Sequence, residues 1–97
     1  MGTRVDAVEA QRIGLINKAV PDDQLDDAVQ VYTDYYAKAP TKAIGLMKKM
    51  LNKSQNSSLD EMLSYEAYCQ DIAGASEDHK EGLTAFLEKR KAAFKGT

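Results

Sequence analysis

Apolar positions recur at three- and four-residue spacings along most of this chain, which is the signature of amphipathic helices. Leu25, Ala28, Val29, Tyr32 and Tyr36 share one helical face. Ala43, Ile44, Met47 and Leu51 form a second stripe, widened by Leu46 and Met50, with Lys42, Lys48, Lys49 and Lys53 on the rest of the circumference. Leu59, Met62, Leu63, Cys69 and Ile72 run along a third helix, and Leu83, Phe86 and Leu87 along a fourth.

The punctuation between these stripes fixes where each element starts and stops. Asp6 with Glu9 three residues on is a capping-box-like start, and Gly14 a stop, predicting a short helix over Ala7 to Ile13. Leu15 to Val20 alternates loosely and meets Pro21, so it reads as an extended segment or one short strand. Asp22 and Asp23 open a longer helix, where acids suit the dipole, and Pro40 ends it and enters the next. Asn52 to Ser58 reads as a polar loop. Ser58 with Glu61 is a second capping box, and Gly74 and Ser76 separate that helix from a last one, Ser76 to Phe94, ending in Lys89-Arg90-Lys91. The expected fold is mainly α, with four to five helices and at most one short strand. Residues 1–97 make one helical segment: a short helix and extended stretch over 1–21, then a helical bundle over 22–97.

Composition narrows the class. The 97 residues, 43% apolar and 29% charged, suit one soluble globular domain or a piece of one. A net charge of −2 argues against nucleic acid or a membrane surface as partner. No run approaches the roughly 20 apolar residues of a membrane span. The opening MGTRVDAVEA lacks a signal peptide's apolar core. The single cysteine, Cys69, permits no intrachain disulfide and suits a reducing, cytoplasmic setting.

Candidate chemistry is sparse. His79, the sole histidine, lies in the first turn of a helix beside Asp78 and reads as solvent-facing; with Glu77, Asp78 or Glu81 it offers no metal-ligand spacing. Cys69 reads as a small core residue. Tyr32, Tyr35, Tyr36, Tyr65 and Tyr68 read as packing residues with wet hydroxyls rather than base-stacking platforms. Glu66 shares a face with Leu59, Met62, Leu63 and Ala73, so it is expected to be partly buried; such a carboxylate could serve as an acid or base, and the preferred reading pairs it with a lysine of the preceding helix. No catalytic residue, metal ligand or bound cofactor is expected.

The linear order of features nevertheless resembles a known family. GTRVDAVEAQRIGLINKAVP, through Ala7, Glu9, Ala10, Gly14, Leu15, Ile16, Asn17, Val20 and Pro21, is similar to the segment after the catalytic core of the enoyl-CoA hydratase/isomerase (crotonase) superfamily. APTKAIGLMKKML resembles that family's next helix, with a lysine at Lys48 or Lys49. The stretch from Tyr65 to Gly96 resembles its closing region, through Glu66, Gln70, Ser76-Glu77-Asp78, Glu81-Gly82, Ala85-Phe86 and Glu88-Lys89-Arg90. GASEDHKEG carries a looser likeness to phenylacetate-pathway isomerases.

The resemblance implies the C-terminal helical region of a crotonase-like fold, lacking the spiral of ββα units. In that family the spiral supplies the oxyanion donors and the acid/base carboxylates. The chain alone is then expected to be inactive. The parent would hydrate a 2-enoyl-CoA or shift its double bond through a stabilised enolate, with the CoA thioester as substrate. The resemblance also implies a CoA-phosphate contact at Lys89, with Arg90 as a further candidate, and a trimeric or hexameric parent. Self-association through Leu25, Val29, Ile44, Met47, Leu83 and Phe86 is expected, with Phe86 serving as core rather than ligand. Taken alone, the residues also fit a freestanding helical interaction module. A small acyl-CoA carrier fits less well, because the lysine- and tyrosine-bearing signature of that class is missing.

Overall fold

A computed structural model describes residues 2–97. Its helices are α1 (Ala7–Arg12), α2 (Leu25–Ala37), α3 (Thr41–Ser54), α4 (Leu59–Gly74) and α5 (Glu77–Leu87), with a 3-10 turn at Asp22–Gln24 before α2. Among the described residues there is no strand. The chain divides into two compact units, one up to Thr33 and one from Asp34 to Thr97.

In the first unit, the Asp6 carboxylate accepts the Glu9 N–H at 2.8 Å, and Glu9 pairs with Arg12 at the other end of the short helix. Gly14 ends α1 with φ 76°, which a side chain would resist. Its N–H donates to the Gln11 carbonyl and the Leu15 N–H to the Ala10 carbonyl, forming a Schellman turn. The expected extended segment or strand over Leu15 to Val20 does not form as such: Leu15 to Asn17 are bends, the Leu15 and Ile16 N–H groups turning back to the Ala10 carbonyl, and Lys18 to Val20 follow without regular structure, the Ala19 N–H donating to the Gln11 side chain.

In the second unit α3 packs on α4, and α4 on α5. The predicted capping box is present: Ser58 Oγ accepts the Glu61 N–H while the Glu61 carboxylate accepts the Ser58 N–H at 2.7 Å. Two predicted boundaries move. α3 continues through Asn52, Lys53 and Ser54, because this polar stretch carries no glycine or proline and the Ser54 hydroxyl satisfies the Leu51 carbonyl. α5 stops at Leu87 rather than Phe94, for reasons that lie in the tail beyond it.

The core is thin. The buried apolar residues are Ala10 in the first unit and Ala39, Cys69 and Ala85 in the second, and among the described residues no large side chain is fully buried. α5 turns its small residues inward: Asp78 and Ala85 are buried and Gly82 carries the Phe94 ring at 3.5 Å from where a Cβ would stand. The opposite face holds Leu83, Phe86 and Leu87. Phe86, expected in the core, is therefore 80% exposed. Glu66 is exposed and makes no ion pair among the described residues, correcting the expected lysine partner. It sits at the rim of an apolar groove between α3 and α4, of about 460 Å³, lined by Met47, Met50, Leu51, Leu59, Met62 and Leu63. Cys69 is buried and His79 exposed, as their positions predict.

Candidate functional site

The basic end expected on a helix lies instead on a strap. Ser76 caps α5, its Oγ accepting the His79 N–H at 3.1 Å while its hydroxyl donates to the Ala73 carbonyl. The first turns of α5 present acids on one side, and the tail runs back along them.

Asp78, only 4% exposed, holds the chain end. Its Oδ1 accepts the Lys95 N–H at 2.7 Å, its Oδ2 the Gly96 N–H at 2.8 Å, and its own N–H donates to the Thr97 oxygen at 3.0 Å. A carboxylate removed from water is tolerated here because both oxygens receive N–H donors and the helix N-terminus favours negative charge. Gly96 has φ 79°, and a Cβ there would run into the Thr41 hydroxyl at the start of α3.

Glu81, one turn further on, holds the middle of the strap. Arg90 grips it with both ends of the guanidinium, Nη1 to Oε1 at 2.6 Å and Nη2 to Oε2 at 2.9 Å. The Ala93 N–H adds a third bond to Oε1 at 2.8 Å. Arg90 Nε donates to Glu88 at 2.6 Å, and Nη1 also reaches the Lys91 carbonyl. The guanidinium, and after it the Ala93 N–H, hold the Glu81 carboxyl down to about 2 from an ordinary value of 4.5. Because the folded value is the lower one, this carboxylate's contribution to stability is complete above about pH 4.5 and is lost as pH falls through about 2.

Just ahead of the tail that these two anchors hold, α5 ends in a Schellman turn without glycine. The Arg90 N–H donates to the Ala85 carbonyl at 3.0 Å and the Lys89 N–H to the Phe86 carbonyl at 3.2 Å. Lys89 occupies the left-handed position of that turn, with φ 55°, and is the only non-glycine residue with positive φ among those described. Its side chain is exposed and its ammonium has no partner among the described residues. Of the two basic residues singled out from the sequence, the structure thus leaves Lys89 unpaired and gives Arg90 two carboxylates.

Sequence reasoning did not find Asp78 and Glu81 as tail anchors. They lie 17–18 and 9–12 residues from the groups they bind, beyond any helical periodicity.

Among the described residues, no three His, Cys, Asp or Glu side chains converge to hold a metal ion, and no helix is long and apolar enough to cross a membrane.

Known proteins share this arrangement of helices. The enoyl-CoA hydratase of Bacillus anthracis superposes with a TM-score of 0.85 at 29% identity, covering 99% of this chain and 37% of that one. An enoyl-CoA hydratase from Geobacillus kaustophilus HTA426 superposes with a TM-score of 0.90 at 35% identity, over 99% of this chain and 37% of that one. In sequence, the chain is 36% identical to 1,2-epoxyphenylacetyl-CoA isomerase of Escherichia coli K12 over 99% of its own length and 37% of the relative's. It is 39% identical to crotonyl-CoA hydratase of Syntrophomonas wolfei over 93% of its own length and 35% of the relative's. The chain therefore spans little more than a third of the relatives it matches. The sequence profile of the enoyl-CoA hydratase/isomerase family matches residues 1–97. With its whole length matched and its helices superposing this closely, the chain belongs to the enoyl-CoA hydratase/isomerase family.

Proposed function

We propose that the chain serves as the C-terminal helical portion of an acyl-CoA hydratase or isomerase, supplying a coenzyme contact and an assembly surface rather than the catalytic groups. The observation that carries this is the exposed ammonium of Lys89, without a partner among the described residues and set off the end of α5, while Arg90 beside it is neutralised by Glu81 and Glu88. A compact ammonium on a flexible stem suits the 3′-phosphate at the adenosine end of CoA. Arg90, whose guanidinium is already bound to two carboxylates, contributes through the strap rather than through a phosphate. Family membership and the CoA esters named for the relatives support the same substrate class.

In the full-length enzyme, Lys89→Ala is expected to weaken CoA-ester binding by roughly 5- to 30-fold, about 1–2 kcal/mol, the scale of one partly exposed charge-assisted contact. The loss should fall on KM rather than kcat, since the adenosine end is held alike in ground and transition states. It should shrink with added salt. The comparison that decides uses thioesters of CoA and of 3′-dephospho-CoA. Equal weakening of both would show that Lys89 does not read that phosphate. Lys89→Gly should behave as Lys89→Ala, since glycine keeps the left-handed turn.

The assembly surface rests on exposure. Leu25, Val29, Met47 and Leu83 are each more than half exposed and Phe86 more so, while Ile44 is half-buried. Apolar faces of this extent drive association, and the parent assembles as a trimer or hexamer in this reading. Sedimentation equilibrium of the 97-residue chain at high micromolar concentration should show species larger than a monomer. A clean monomer would refute it.

A further inference from the structure

The positive φ of Lys89 asks for a cause. A lysine gains nothing of its own in the left-handed region, and the other two described residues with positive φ, Gly14 and Gly96, have no side chain to resist it. Such a conformation persists only where the surroundings over-determine it. Here they do so from both sides. Glu88 before Lys89 and Arg90 after it are bridged to each other at 2.6 Å, and Arg90 is locked to α5 by its two-pronged grip on Glu81. The same Glu81 oxygen holds the Ala93 N–H three residues downstream, so the chain cannot slip past the turn. The Lys89 side chain takes no part in any of these bonds.

We propose that Glu81 is a positioning residue for the coenzyme: through Arg90 it fixes the left-handed backbone of Lys89 and so the origin of the ammonium that meets the phosphate of a CoA ester. The inference rests on the reading of Lys89 given above. Holding the stem's origin still leaves less freedom to be lost when the phosphate binds, which raises affinity without a further contact. Glu81 does not touch the phosphate itself, because both its oxygens already accept donors and its charge is of the wrong sign.

That sign separates positioning from simple electrostatics. Removing a negative charge from the neighbourhood of a phosphate should, acting through space alone, strengthen binding. Positioning requires the opposite.

The test uses the full-length enzyme with Lys89→Ala, Glu81→Ala, Glu81→Gln and the double variant Lys89→Ala/Glu81→Ala. KM and kcat are measured for thioesters of CoA and of 3′-dephospho-CoA. Both Glu81 variants should reduce the preference for the 3′-phosphate by about three- to tenfold, kcat staying unchanged. Lys89→Ala should abolish that preference, and the double variant should show no further loss. If Lys89→Ala leaves the preference intact, the coenzyme reading itself fails. If Lys89→Ala removes it while the Glu81 variants keep or increase it, the positioning role is overturned and the coenzyme reading stands. Should Glu81→Ala prove insoluble, Glu81→Gln, which keeps the side chain's shape and one acceptor, carries the same comparison.

Discussion

The 97-residue chain by itself should leave crotonyl-CoA unchanged. Adding water to an enoyl thioester passes through an enolate, which needs two converging donors at the thioester oxygen and a carboxylate free to move a proton. The described residues offer neither together. The buried Asp78 accepts two backbone N–H groups, and Glu81 is saturated by Arg90 and Ala93. Glu66 lies exposed at a groove rim, His79 is exposed, and Cys69 is enclosed without a base. Losing even one oxyanion donor typically costs about 10²–10³ in kcat, so the absence of the whole arrangement should put turnover below detection. Following the conjugated thioester absorbance during incubation tests this. Turnover that stays with the chain through purification would overturn the division of labour proposed here.

The second large effect concerns Asp78. Asp78→Ala should release the tail from α5 and lower stability by about 2–3 kcal/mol, the scale of losing charge-assisted bonds whose donors then regain water. The amides that report it are those of Lys95 and Gly96, which donate to the two carboxylate oxygens. Hydrogen exchange at both should approach the rate of an unstructured peptide, while the Glu61 amide at the start of α4 keeps its protection through the Ser58 cap. Lys95 and Gly96 amides that stay protected would mean that the tail is held by the Phe94 ring on Gly82 rather than by the carboxylate.

The two anchors give the acids at the start of α5 a structural use. The acids of α5 do not merely complement its dipole. They bind the chain that follows, and the basic residues lie on that chain rather than on the helix.

What the sequence determined by itself is local. Helix starts were legible because a cap acts within one turn: Asp6 on Glu9, Ser58 on Glu61 and Ser76 on His79 each span three residues. The stop of α1 was legible too, since Gly14 marks a left-handed position with its own chemistry. Family membership was readable from the order of short motifs along the chain. The end of α5 was decided by tertiary structure alone. Nothing in Leu87-Glu88-Lys89-Arg90 forbids a helix, yet Lys89 turns left-handed there, and Arg90 just after it is held by Glu81, nine residues before it. The fate of the apolar stripes was likewise undecidable from periodicity. A stripe shows that Leu83, Phe86 and Leu87 share a face, but whether that face is covered depends on what packs against it, and here α5 buries its smaller residues instead. Spacing reports which side chains stand together on one element; only the packing of elements distant in sequence decides what they meet.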